Sequence, residues 1–173
     1  MGKGSNQILN IGKAFERAAK KAESKAVLSF LGDQMVGVVR ERTRAGFGVE
    51  FDGDSESRFE PLAKSTIKAR KKKTLHPDTT PSTSNLTETG EMLDSLKAKF
   101  AKASVEIGAT GSRNELLAEV HHYWTDSAGK NRNVTIPARP FLNLSQMEID
   151  LAASLWEDAF NKILEEELRK EGL

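Results

Sequence analysis

The segment "TIPARPFLNLSQME", residues 135–148, changes from strand-like to helix-like sequence within a few positions. Val134 and Ile136 flank one polar residue, which is the alternation of a β-strand. Pro137 follows and has no N–H group to donate to a neighbouring strand, so we expect the strand to end there. The segment therefore predicts a change of secondary structure at a fixed point of the chain.

Two prolines stiffen the stretch that follows this strand. Arg139 precedes Pro140, and the proline ring disfavours helical backbone at the residue before it. Ser145 and Glu148 then have the spacing of a capping box, in which each side chain bonds the backbone N–H of the other residue. We expect a rigid joint made of a strand end, an extended elbow and a capped helix. Its candidate core residues are Pro140, Phe141, Leu142 and, from the following helix, Trp156.

The apolar residues near both ends of the chain recur with the periodicity of a helix. After residue 145, apolar residues recur at three- and four-residue steps, which predicts a helix with an inward stripe of Met147, Leu151, Leu155, Ala159 and Ile163. Residues 7–44 show a similar pattern that shifts to another face near Gly32, where we expect a break. The chain is thereby divided into an N-terminal helical arm, residues 1–32, and a second domain, residues 33–173.

Two regions in the middle of the chain predict antiparallel hairpins. Residues 46–60 alternate apolar and polar side chains and contain Asp52-Gly53, a common turn pair. Residues 96–109 alternate in the same way. Between them, residues 74–85 are rich in Pro, Thr and Ser, which is typical of a loop.

Three shorter helices complete the prediction. Pro61 suits the first turn of one, and a second is expected around residues 88–96, with its inward face formed by Met92, Leu93 and Leu96. Ser112 and Glu115 have capping-box spacing before the third, whose inward face is either Leu116, Val120 and Trp124, or Leu117 and Tyr123. The predicted fold class is α+β: a small antiparallel sheet packed with a long N-terminal helix and a C-terminal helix, plus long polar loops.

Composition limits the classes of protein that this chain can be. It has 173 residues, 38% of them hydrophobic, which suits one domain core with or without a detachable helix. It contains no cysteine, so disulfides, thiolate metal sites and cysteine catalysis are excluded. The sequence has no apolar run of about 18 residues, so we expect no membrane span.

Charge is distributed in blocks of alternating sign. The net charge is +1, yet residues 1–44 carry +5, residues 45–60 carry −4, residues 61–73 carry +6 and residues 145–173 carry −5. A nucleic-acid-binding protein usually keeps one sign over a face. Blocks of both signs favour contact between one copy and the next, although ordinary solvated helix faces explain any single block equally well.

The sequence offers no convincing catalytic or metal-binding constellation. His121 and His122 are neighbours on a predicted helix and point about 100° apart, so they do not readily share one metal ion. His76 lies in the predicted loop, far from the spacing of a zinc motif. We expect no metal, no cofactor and no enzymatic activity. Of the two helical histidines, we expect one to be packed and one exposed.

Two groups of basic residues are candidates for a subunit interface. The run of Arg70, Lys71, Lys72 and Lys73 suits an acidic neighbour, a phosphate backbone or, as a plain solvated helix end, no partner at all. Arg139 suits a carboxylate across an interface, or equally the carbonyl groups near it. The alternatives stay open at this point.

Three segments, in this order, resemble the phage virion-morphogenesis or tail-completion proteins of tailed bacteriophages. The first is "FEPLAKSTIKARKKK", through Phe59, Pro61, Leu62, Thr66, Ile67, Arg70 and Lys71. The second is "LTETGEMLDSL", through Leu86, Thr89, Gly90, Met92 and Ser95. The third combines "VEIGAT", "AEVHHYW" and "IPARPFLNLS". Together they cover about residues 59–146, and they depart from the family pattern at Tyr123 and Trp124, where the family often has glycine.

The resemblance implies a structural subunit of the virion neck. Such a subunit forms a homomeric ring, expected here to be a hexamer, that joins the head, with its portal and connector, to the tail. Its expected partners are further copies of itself and neighbouring connector, tail-terminator or tail-tube proteins. DNA passes through the lumen of such a ring without specific binding, and assembly occurs in the host cytoplasm. The alternative from the residues themselves is a nucleic-acid-binding accessory protein that uses residues 61–73.

Overall fold

The computed structural model describes residues 3–53, 55–101 and 104–173, with side chains in the first helix described from residue 10 onward. The elements follow the order α1 (Lys3–Ala22), α2 (Lys25–Arg44), β1 (Phe47–Val49), β2 (Glu56–Arg58), α3 (Lys64–Arg70), α4 (Glu91–Asp94), β3 (Lys97–Ala101), β4 (Ser104–Gly108), α5 (Ser112–Tyr123), β5 (Thr125–Ala128), β6 (Val134–Ile136) and α6 (Gln146–Lys170). The predicted α+β class, with long terminal helices and small antiparallel sheets, is confirmed.

Among the described residues, the strands pair as three separate two-stranded ladders, β1 with β2, β3 with β4 and β5 with β6. All three are antiparallel. Both predicted hairpins are therefore present, although residues 102–103, in the turn of the second, lie outside the described residues. Strand β5 was not predicted, because its four residues Thr-Asp-Ser-Ala contain no alternating apolar side chains.

The break in the N-terminal helical region lies at Glu23–Ser24, so the break predicted near Gly32 is wrong. Gly32 is buried inside α2, where a Cβ atom would lie 2.5 Å from the Ala98 Cβ and 2.5 Å from a Val105 methyl carbon. This glycine allows the β3–β4 hairpin to lie close against the helix. The proposed division into residues 1–32 and 33–173 stays a prediction.

The core lies between α2, the segment around α4, α5 and the chain that leads into α6. It consists of Val36, Val39, Phe59, Met92, Leu93, Leu96, Ala109, Ala118 and Phe141. The inward positions predicted for Met92, Leu93 and Leu96 are confirmed. Arg40 of α2 joins this region by donating from Nε to the Leu93 carbonyl at 2.9 Å and from Nη2 to the Asp94 and Leu96 carbonyls.

Two of the shorter helices begin differently from the prediction. α3 begins at Lys64 instead of Pro61. α5 has Gly111 at its N-cap and no side-chain cap, so the capping box predicted for Ser112 and Glu115 is absent. Gly111 has a φ of 91°, a left-handed backbone that favours glycine and turns the chain into the helix without a side-chain cap.

The inward faces of α5 and α6 are also rotated relative to the prediction. In α5, Leu116 is 60% exposed and Trp124, just past the helix, is similarly exposed, whereas Ala118 and His122 are buried. In α6, Met147 is 79% exposed, and Leu151 is exposed as well. The buried positions of α6 are instead Glu148 and Glu167, with Leu155, Ala159 and Ile163 half-buried as predicted.

α1 packs against α6 through small side chains. Ala14, Ala18 and Ala22 recur every four residues and are fully buried. At one end of this contact, the buried carboxylate of Glu167 accepts bonds of 2.7 Å from Arg17, Lys21 and Lys170. Within the described ranges, no helix combines the length and the apolar character needed to cross a membrane.

Candidate interface site at the elbow and cleft

The elbow, residues 137–145, is fixed by backbone hydrogen bonds to two other elements. The Arg139 N–H donates to the His121 carbonyl of α5 at 2.6 Å, and the Val49 N–H of β1 donates to the Pro140 carbonyl at 2.9 Å. A Cβ atom at Gly48 would lie 2.8 Å from the same Pro140 oxygen. Because Gly48 has no side chain, the elbow can lie close alongside β1.

A buried arginine from α2 holds the second half of the elbow. Arg42 Nη2 donates to the Phe141 carbonyl at 2.7 Å and to the Asn143 carbonyl at 2.8 Å, while Nη1 pairs with the Glu148 carboxylate. Both charged side chains are buried. A buried charge is costly unless it is paired, so these partners of the two terminal nitrogens fix the position of the elbow relative to α2. The Nε of Arg42 is buried without a hydrogen-bond partner among the described residues.

Glu148 also closes the N-terminus of α6. The Ser145 N–H donates to a Glu148 carboxylate oxygen at 2.8 Å, and the Glu148 N–H donates to Ser145 Oγ at 3.3 Å. The predicted capping box is therefore confirmed. The same carboxylate serves the helix cap and the ion pair with Arg42, which couples the start of α6 to α2.

Three of the four residues predicted for the core of the joint lie together. Phe141 has no exposed surface, Pro140 is buried, and Leu142 is partly buried against the core. Phe141 meets the edge of His122 with ring centroids 5.9 Å apart. Trp156 lies elsewhere, half-buried on α6 and stacked on Phe160 at 5.5 Å.

Arg139 is buried beside the elbow and meets only neutral acceptors. Nε donates to Ser84 Oγ at 3.1 Å, Nη1 to the Pro137 carbonyl at 3.3 Å and Nη2 to the Glu60 carbonyl at 3.4 Å. Burial and the nearby Arg70 lower the pKa of Arg139, and the Glu60 carboxylate opposes this only in part. The guanidinium thus has no carboxylate paired with it in the described part of the chain.

The basic run is divided between the interior and the surface. Arg70 is buried, with Nη1 donating to the Thr83 carbonyl at 2.8 Å and Nε 3.3 Å from a Glu88 carboxylate oxygen. Lys73 Nζ also donates to Glu88, at 2.6 Å. Lys71 and Lys72 are exposed. The four residues therefore do not form one solvated patch, and their place in an interface stays a prediction.

Arg70 and Arg139 line one cavity of about 700 Å³, called the cleft from here on. Its walls come from α3, the segment around residues 84–92, α5 and the β6–elbow junction. The apolar part of the lining includes Leu62, Leu86, Met92, Leu117, Val134 and Ile136. Three arginines and two glutamates also line the cleft, which thus combines charges of both signs, with positive charge in excess, and apolar walls.

His121 also lines the cleft, and neither helical histidine is exposed as one was expected to be. Burial, followed by the charges of Arg139 and Arg70, lowers the pKa of His121 to about 4. Its buried Nδ1 has no hydrogen-bond partner among the described residues. Burial likewise lowers the pKa of His122, whose Nδ1 accepts the Leu142 N–H at 3.4 Å. Both imidazoles are therefore neutral at pH 7.

Sequence reasoning missed the cleft because its polar groups come from separate segments. Arg70, His121 and Arg139 meet only when three parts of the chain fold together. The one available signal was the position of Arg139 between two prolines. In the part of the chain that the structure describes, no cluster of three His, Asp or Glu side chains is placed to hold a metal ion.

The fold and the site define a small α+β protein organised around a braced elbow, with a basic cleft on one side of it. The chain belongs to the phage virion morphogenesis family, whose model matches residues 7–160. Its function is accordingly associated with the phage virion. No curated protein and no solved structure matches the chain.

Proposed function

We propose that this protein is a structural subunit of the neck or tail-completion region, where it forms a homomeric ring, with six copies expected, that joins the head to the tail. The observation that carries the proposal is the family match over residues 7–160. The ring lies between the portal or connector on one side and the tail terminator or tail tube on the other. It acts by shape and has no enzymatic role.

The elbow supports a role that depends on shape. Its backbone is bound to α5 and β1, and Arg42 and Glu148 bind it to α2 and α6. A ring subunit between a capsid and a tail has to transmit force between its neighbours without deforming. A joint held by directed hydrogen bonds and a buried ion pair suits that task, since each bond fixes both a distance and an angle.

The distribution of charge supports contact between copies. A closed ring needs a head-to-tail interface, in which one surface of a subunit meets a different surface of the next. The acidic α6 and the basic cleft lie on different elements, because no residue of α6 lines the cleft. Surfaces of opposite character on different elements provide the two halves of such an interface.

The alternative function, nucleic-acid binding by residues 61–73, is tested by measuring DNA affinity at physiological salt. Lys71 and Lys72 are exposed and consecutive, which is the observation that favours it. Micromolar DNA binding at physiological salt that disappears in the Lys71→Ala, Lys72→Ala double variant supports this alternative. Under the ring proposal, DNA affinity is weak and the double variant still joins heads to tails.

Phage lacking the gene provide the direct test of the proposed function. We expect electron micrographs of the lysate to show DNA-filled heads and separate tails, and a plasmid copy of the wild-type protein to restore joined particles. The exposed variant Lys99→Ala, on the β3–β4 hairpin, is the matched control and restores joining as well as the wild type does. Normally joined particles without the protein overturn the proposal.

A further inference from the structure

The cleft contains a buried arginine without a carboxylate paired with it among the described residues, although Glu88, which pairs with Arg70, and Glu91 also line the cavity. Arg139 is 5% exposed, and its hydrogen bonds go to one hydroxyl and two carbonyls. A buried guanidinium without a paired anion is costly. A carboxylate that enters the cleft supplies this anion and accepts from the guanidinium nitrogens.

The walls of the cleft specify what accompanies that carboxylate. Apolar side chains line much of the cavity, and its volume of about 700 Å³ is large enough for several side chains. An isolated acid leaves these walls in contact with water, whereas apolar side chains beside the acid cover them. The best-fitting ligand is therefore a helix that carries an acidic residue next to apolar ones on one face.

The outer face of α6, defined by Met147, Asp150 and Leu151, has this composition. Met147 and Leu151 lie at positions i and i+4, which share one side of a helix, and both are exposed. Asp150 projects on the same side and is also exposed. Its only side-chain hydrogen bond within the described residues is the one from the Gln146 side chain at 2.8 Å. Asp158, also exposed, lies about two turns further along the helix, beyond this face.

We propose that the α6 outer face of one copy docks in the cleft of the next, with Asp150 binding Arg139. The inference rests on the proposed ring and names its interface. Met147 and Leu151 cover the apolar wall of the cleft. The contact is head-to-tail, because the face and the cleft belong to different elements, so each copy offers one of each.

The absence of cysteine makes disulfide trapping a clean test. One single-cysteine variant carries Met147→Cys on the α6 face, and a second, distinguished by a mass tag, carries Val134→Cys at the half-exposed lip of the cleft. Mixed and oxidised, the two form a heterodimer that a reducing agent separates. The control replaces the second variant with Lys99→Cys, exposed on β3 and away from the cleft, and yields no heterodimer above background.

A second measurement uses surface variants, which leave the fold intact. By sedimentation equilibrium, Asp150→Asn weakens association of the otherwise wild-type protein about tenfold, since it removes the charge that meets the buried arginine. The matched control, Asp158→Asn, changes an exposed position about two turns further along α6, beyond the docking face, and changes association by less than about twofold, as expected for an exposed charge without a close partner.

Failure of this interface is distinguishable from failure of the proposed function. Oligomers that form without the Met147–Val134 disulfide and without a response to Asp150→Asn overturn the docking proposal, while the ring proposal stands. A chain that stays monomeric and unlinked at every concentration overturns the docking proposal too. The proposed function is decided separately, by whether phage lacking the protein join heads to tails.

Discussion

The elbow and the α1–α6 contact are stabilised by different kinds of interaction. In the elbow, Arg42 donates hydrogen bonds to main-chain carbonyls. The buried Glu148 carboxylate both caps α6 and pairs with that arginine. In the α1–α6 contact, three alanines provide close packing, and the polar interactions centre on Glu167. The first region is fixed by directed bonds in the interior, whereas the second depends on small side chains and on charges whose cationic partners reach solvent.

This difference indicates that the elbow, and not the α1–α6 contact, is the rigid scaffold of the protein. Pro137 and Arg139 form one wall of the cleft, and the elbow carries the chain from them into α6. A rigid elbow therefore fixes the cleft relative to the α6 outer face, whereas the attachment of α1 depends on partly exposed ion pairs that salt weakens. Variants in the two regions test this contrast.

Removing the aromatic ring at the centre of the elbow has the largest effect on stability. Phe141 is completely buried, so Phe141→Ala lowers the free energy of unfolding by roughly 3–5 kcal/mol. Urea denaturation followed by circular dichroism measures the loss. The control, Phe30→Ala, removes a half-exposed ring from α2 and costs much less. Equal effects of the two variants contradict the central packing role of Phe141.

Removing the charge from Glu148 tests the ion pair separately from the helix cap. In Glu148→Gln the side chain is still able to cap α6, because glutamine also occupies this capping-box position. Arg42 is then left buried without its anion, and we expect a loss of about 3 kcal/mol in the free energy of unfolding. Asp158→Asn, an exposed change on the same helix, serves as the control. A loss no larger than that of the control shows that the pair does not hold the elbow.

Acidification is expected to destabilise the protein through His121. Its pKa falls from 6.5 in the unfolded chain to about 4 in the folded protein, so the unfolded state binds protons first. The stabilisation is present above pH 6.5 and is lost as the pH falls towards 4, by roughly 3 kcal/mol. Denaturant titrations between pH 7 and pH 4 measure the slope. In His121→Gln the free energy of unfolding depends less on pH, and the contribution of His122 remains. An unchanged slope contradicts the assignment of the pH dependence to His121.

The α1–α6 contact is expected to weaken with salt, whereas the buried bonds of the elbow are screened much less. Bonds from Lys170, Lys21 and Arg17 lower the pKa of Glu167 from 4.5 to about 2, so their stabilisation is present above pH 4.5 and is lost as the pH falls towards 2. At pH 7, Glu167→Gln accelerates amide hydrogen exchange in α1 and leaves residues 137–145 unchanged. Salt at about 0.5 M reduces the difference in the α1 exchange rate between this variant and the wild type. Equal acceleration in both regions contradicts the contrast.

Local rules predicted the features whose causes are local. The alternation of Val134 and Ile136 and the spacing of Ser145 and Glu148 depend on residues within a few positions, and both predictions are confirmed. The apolar pattern at Met92 and Leu93 likewise identified core residues. In these cases the residues that decide the local structure are neighbours in the sequence.

The errors arose where a distant partner decides the structure. Met147 was predicted to face inward, but the buried residue is Glu148, whose partner Arg42 lies 106 positions away. Gly32 suggested a helix end, whereas it accommodates the hairpin that packs against α2. Arg139 was identified as a candidate, but its position beside His121 depends on how the elbow packs on α5. Such long-range contacts leave little trace in local periodicity.

We propose that this protein works as one braced element of a ring between head and tail. Cryo-electron microscopy of the intact phage tests it most directly, by fitting the α+β fold into the density between the capsid vertex and the tail. We expect a closed ring at that position, with the elbow of each copy in the conformation described here. Density at this junction that excludes the fold, or mature particles that lack the protein, contradicts the claim.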